Sequence, residues 1–118
     1  MEVTTLDTVF LWVSDLDRSV EWYGDRLGIR PGPRHGDWQV MVIDGDVTFA
    51  LHRSPEEVTP SRSAVLGFRV DDLPTATEDL AASGVEPVDQ TVTDTGFKRF
   101  RTFADPDGHL IQLIELAG

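Results

Sequence analysis

Cysteine is missing from this 118-residue chain. That absence excludes disulfide scaffolds, cysteine-ligated zinc and thiol nucleophiles at once. Basic side chains are scarce: ten Lys and Arg stand against 21 Asp and Glu, the formal net charge is -11, and Lys98 is the only lysine. Nucleic-acid phosphates and anionic membrane surfaces both demand a basic face, so neither partner is expected. No run of about 18 apolar residues occurs to cross a membrane as a helix. Glu2 and Asp7 stand where a secretory leader has a basic start and an apolar core, and a cytoplasmic protein is expected.

What is present supports one domain over residues 1–118. Hydrophobic residues make up 40% and charged residues 26%. At this length roughly two-thirds of the unfolded surface can be buried, so the core needs no metal or disulfide staple. Inside the domain the chain repeats itself. Residues 8–16, TVFLWVSDL, align with residues 65–73, VLGFRVDDL, at a constant offset of 57. Two repeat units are expected, 1–53 and 64–118, with residues 54–63 as a linker carrying two prolines and two glutamates.

Each unit opens as strand then helix. In the first, Val9, Leu11 and Val13 point one way and Thr8, Phe10 and Trp12 the other, as alternation across a strand requires. Asp15 and Asp17 are candidate N-caps; Leu16, Val20, Tyr23 and Leu27 recur at helical spacing; Gly28 supplies a left-handed stop. In the second, Asp72 caps, Pro74 fits the first turn, and Leu73, Ala76, Leu80 and Gly84 repeat the pattern. Period-two alternation then returns. Runs 38–43 and 47–52 flank Asp44-Gly45-Asp46, and runs 97–103 and 109–115 flank Asp105-Pro106-Asp107-Gly108, both hairpin signals. Shorter strands are expected at 29–34 and 85–92, confined to edges or bulges by Pro31, Pro33 and Pro87. The fold class is α+β, two βαβββ units.

The doubled unit, the string VSDLDRSVEWYGDRLG at 13–28 and the string DPDGHLIQLIE at 105–115 together resemble the vicinal oxygen chelate superfamily, over essentially the whole chain. That superfamily takes in glyoxalases, bleomycin-resistance proteins, fosfomycin-inactivating enzymes and extradiol dioxygenases. The resemblance implies a cup-shaped mixed sheet with helices on its outer face, often in a homodimer. It also implies a divalent ion in the cup, held by one side chain from the first and one from the last strand of each unit. Carried over by the motifs, those positions are Thr8 and Val65, and Ala50 and Gln112. Such an ion needs about three or four ligands from His, Glu and Asp. Thr, Val, Ala and Gln do not form that set, and an apolar cup does not offset the dehydration of a divalent ion. No metal or other cofactor is therefore expected, as in the drug-binding members, which sequester an antibiotic.

The remaining candidates are weighed by face. Phe10 and Trp12 share a face with Thr8 and offer flat apolar area for stacking, or ordinary packing between units. Trp38 joins them or not according to whether the loop at 44–46 has two residues or three. His52 shares a face with Ala50 and reads as a displaced ligand, a general base or a histidine at a strand end. Lys98, Phe100 and Thr102 share one face and Arg99, Arg101 and Phe103 the other; the resemblance puts the first set in the cup, with Lys98 as an anion contact or a solvated edge charge. His109 reads as turn chemistry and His35 as a solvated loop residue. Tyr23 reads as core and Trp22 as helix edge or dimer contact. The pairs Asp71 and Asp72, and Glu56 and Glu57, are caps and linker charge, since strand neighbours point apart.

The expectation is metal-independent sequestration of a small aromatic or cationic molecule by Thr8, Phe10, Trp12, Trp38, Ala50, His52, Val65, Lys98, Phe100, Thr102 and Gln112, in a homodimer. The acidic charge favours a cationic ligand or simply keeps the surface soluble. The alternative is a lyase, isomerase or dioxygenase of the same superfamily, metal-dependent or metal-free, in which His52 and Gln112 act with a further residue.

Overall fold

The alternation of residues 8–13 becomes the first strand of the computed structural model, which describes residues 1–118. β1 (Thr8–Val13) buries Leu11 and Val13 and leaves Phe10 and Trp12, on its other face, 39% and 43% exposed. Asp15 then caps α1 (Leu16–Leu27), its carboxylate accepting from Arg18 N at 3.1 Å. Gly28 ends the helix at φ 69°, a left-handed conformation that costs any residue with a Cβ roughly 1–2 kcal/mol. The helix buries Leu16, Ser19 and Tyr23, and Tyr23 meets Phe49 edge-on at 5.5 Å.

β2 (Arg30–His35), β3 (Trp38–Val42) and β4 (Thr48–Arg53) complete a four-stranded sheet in the order β1-β4-β3-β2. β1 runs parallel to β4, and the other pairs are antiparallel. The prolines of β2 have the expected effect: it is an edge strand whose register shifts between Pro31 and Arg34. Gln39, buried on the helix side, repairs that bulge. Its Nε2 donates to the Gly32 and Pro33 carbonyls at 2.8 and 3.3 Å, and its Oε1 accepts from Arg34 Nε at 3.0 Å.

The second unit repeats the plan with β5 (Leu66–Arg69), α2 (Leu73–Ala82), β6 (Thr93–Asp94), β7 (Lys98–Ala104) and β8 (Leu110–Leu116). Its sheet order is β5-β8-β7-β6, again with the first and last strands parallel. Asp72 caps α2 by accepting from Thr75 N at 3.0 Å, and Pro74 sits in the first turn. Leu73 and Leu80 are buried, as are Phe103, Ile111 and Leu113 of the sheet. The Asp105 carboxylate accepts from the backbone of Asp107 and His109, which shapes the turn between β7 and β8. The buried His109 ring reaches back, its Nδ1 accepting from Ser61 N at 2.7 Å. His109 is thus turn chemistry with a second task, tying the start of the unit to its last hairpin.

One strand is not where residue preference puts it. The strand expected over 85–92 is replaced by the two residues of β6 further along. Pro87 has no N–H for a ladder. Val88 N still donates to Thr102 O at 2.8 Å, but the Asp89 carboxylate then takes Thr102 N at 3.0 Å, the backbone donor a longer strand would use, and is held there by Arg101 Nε at 2.9 Å. The other strand ends fall within one residue of those expected. The chain divides into the units Met1–Val58 and Thr59–Gly118. No helix is long and apolar enough to cross a membrane.

Candidate binding face

β4 lies between β1 and β3, so its residues define rows across three strands. Trp38, His52 and Trp12 stand in one row, and Val40, Ala50 and Phe10 in the next. A third follows with Thr48 opposite Thr8. All belong to the face opposite α1, because Leu11, Gln39, Met41, Phe49 and Leu51 alternate with them and Phe49 meets Tyr23 of the helix; on the ring face Ala50 is buried as well. The β3–β4 pairing centres on Gly45, at φ 103°, and so has the register of a three-residue loop. That register brings Trp38 onto the face of His52. A two-residue loop would have turned it to the other side.

Four rings meet on this face. Trp12 and His52 are stacked, with centroids 4.5 Å apart and planes inclined by 23°. Trp38 meets His52 edge-on at 5.3 Å. Phe10 touches all three, at 5.3 Å from Trp12, 5.1 Å from Trp38 and 5.9 Å from His52. Edge-to-face and offset contacts of this kind are the favourable ones for aromatic pairs. The rings hold one another in place and still leave Phe10 and Trp12 substantially open to solvent. His35, paired with Trp38 at the start of the hairpin, is exposed and outside the ring cluster.

The equivalent face of the second unit is different. Gln112 pairs with Gly67 and with Thr102, and its Nε2 donates to Thr102 Oγ1 at 3.3 Å. Ile114 covers Gly67 so closely that a Cβ there would stand 2.4 Å from its Cδ1. Phe100 and Lys98 follow along the same face of β7, Lys98 exposed at the strand start. Val65 precedes β5 and is 36% exposed.

On the other side of this sheet, a cleft of about 300 Å³ lies among Leu73, Pro74, Thr77, Glu78, Val92, Arg99 and Arg101. Its two cations are engaged, Arg99 with Glu115 and Arg101 with Asp89. Glu115 also accepts from Leu73 N at 3.1 Å and so occupies the start of α2.

The positions that the fold family uses for a divalent ion do not fit one. Thr8 donates its hydroxyl proton to Asp7 Oδ2, Ala50 and Val65 carry no side-chain ligand atom, and Gln112, its Nε2 donating to Thr102, offers only a neutral amide oxygen. Nowhere in the chain do three His, Asp or Glu side chains converge as a ligand set.

Two units of strand, helix and three-strand meander, one with an aromatic face, define the class of fold. The sequence pattern of the Glyoxalase/Bleomycin resistance protein/Dioxygenase superfamily matches residues 5–113, and the chain belongs to that superfamily. Solved structures agree. A protein of unknown function from Agrobacterium tumefaciens str. C58 is 26% identical over 99% of this chain and 98% of its own, with a TM-score of 0.80. A glyoxalase/bleomycin resistance protein/dioxygenase from Nocardioides is 23% identical over 98% of this chain and 85% of its own, with a TM-score of 0.77. TnmS3, an antibiotic binding protein from Streptomyces sp. CB03234, is 23% identical over 99% of both chains, with a TM-score of 0.75. No curated protein sequence matches the chain.

Proposed function

We propose that the chain binds a planar aromatic small molecule, without a metal ion, by stacking it on the open face of the first unit. The carrying observation is the contact cluster of Phe10, Trp12, Trp38 and His52. Its spacing favours an aromatic over a purely cationic ligand. A cage for a cation needs rings standing apart around it, each within about 6 Å of the charge. Here five ring pairs have centroids 4.5 to 5.9 Å apart, with His52 and Phe10 standing between Trp12 and Trp38, so rings occupy the space a caged cation would take. Phe10 and Trp12 keep 39% and 43% of their surface exposed, and this is the apolar area left for a ligand. The net charge of -11 then adds attraction for a ligand that is also cationic.

Similarity to an antibiotic-binding protein supports a sequestering, resistance-like role and guides the choice of probe. The proposal extends to a cytoplasmic homodimer. Phe97, 81% exposed, and the neighbouring Val92 and Leu116 are the kind of apolar surface that a second copy covers, which sedimentation velocity checks. For an enzyme of the same superfamily, the face supplies a single imidazole, His52, and no second acid or base beside it in the ring cluster.

Calorimetric titration with a panel of planar heteroaromatic antibiotics tests the reading. Binding is expected for at least one, weakened tenfold or more by Trp12→Ala and little changed by Arg69→Ala at the equivalent position of the second unit. No heat with any member, or equal effects of the two substitutions, overturns it. Stoichiometric nickel, zinc, manganese or iron in protein purified without chelator would favour the metal-dependent enzyme instead.

A further inference from the structure

We infer that the ligand is elongated and in two parts, with its aromatic head on the row of Trp12, His52 and Trp38 and a hydrogen-bond donor, best an ammonium, at Asp7 and Thr8. This rests on the proposed aromatic binding and specifies its ligand class. Successive rows step two residues along the strands, and a strand rises about 3.3 Å per residue, so the first and third rows lie roughly 13 Å apart. The middle row, Val40, Ala50 and Phe10, presents no side-chain polar atom, so whatever spans it is apolar.

The chemistry changes at the far end. Thr48 stands opposite Thr8 there, and Thr48 N donates to Asp7 O at 2.8 Å, which fixes Asp7 beside the row. The Thr8 hydroxyl proton is committed to the Asp7 carboxylate. What remains on Thr8 Oγ1 and on Asp7 is acceptor capacity, with a negative charge in an exposed position. A donor is welcomed there and an anion repelled. The first unit therefore presents rings at one end, a greasy middle and acceptors at the other.

The test uses the whole chain and four acridone probes: the neutral tricyclic head alone, the head with an ammonium on a tail reaching 13 Å, the same ammonium on a tail too short to reach, and an uncharged tail of the full length. Calorimetry at low salt is expected to show the long ammonium probe binding about two- to five-fold tighter than the head, the range for an exposed ion pair. Asp7→Asn should remove that gain and leave the head's affinity unchanged. Trp12→Ala should weaken every probe. If the long ammonium probe gains nothing, or if its gain survives Asp7→Asn or appears equally with the short tail, the two-part ligand is wrong while head binding still supports the aromatic face. If no probe binds, both readings fall.

Discussion

The two units agree where they bury a helix and disagree where they do not. At the offset of 57, Leu16 matches Leu73 and Tyr23 matches Leu80, and all four are buried. Asp15 and Asp72 cap the two helices in the same way. On the opposite face, Phe10 corresponds to Gly67 and Trp12 to Arg69. By their pairing with those residues, Ala50 corresponds to Gln112 and His52 to Ile114. A helix laid on a sheet constrains volume closely, since core positions are felt to the level of a methylene. The opposite face has no helix against it, and it is there that one unit carries four rings and the other a mixture of Gln112, Thr102, Phe100 and Ile114.

The largest expected effect tests the shared face. Tyr23→Ala should cost about 3–5 kcal/mol and Leu80→Ala about 2–5 kcal/mol in urea denaturation, as for other large buried side chains. A negligible loss at Leu80 would mean that the two helices are not anchored alike.

A smaller effect sharpens the comparison within that face. Ser19 is buried with its Oγ unpartnered, whereas the matching residue is Ala76. Ser19→Ala removes an unsatisfied hydroxyl and adds helix preference, so it should stabilise the chain by about 1 kcal/mol. Thermal unfolding would show this as a rise of a few degrees. A fall would show that the hydroxyl has a partner in solution, such as a water.

The smallest effect lies on the open face of the second unit. Gly67→Ala crowds Ile114 Cδ1, the tip of a flexible side chain. The cost of shifting that rotamer, about 1 kcal/mol, is nearly offset by the reduced freedom of the unfolded chain. The change should therefore be within about 0.5 kcal/mol of neutral. Adding Ile114→Val removes the clashing methyl, and a double-mutant cycle should give a coupling of about 1 kcal/mol. Additivity would show that Ile114 does not close over Gly67.

Much of this was legible before folding. Caps, strand alternation and the proline-bent edge at Pro31 and Pro33 are local, decided by residues a few positions apart. The misplaced strand at 85–92 failed because Asp89 reaches across to β7, a contact no local pattern reports. Gln39 carries no local signal, because its importance comes from the bulge it repairs. For Trp38 the face stayed open until the loop register settled it.

The amino-acid order alone determined two βαβββ units, because caps and periodicity are properties of single residues and their near neighbours. Only the folded chain decided that Phe10, Trp12, Trp38 and His52 form one contact cluster. Their meeting depends on the pairing of β4 with its hairpin neighbour β3 and with the distant β1, and a one-residue slip in either pairing would have sent a ring to the opposite side of the sheet.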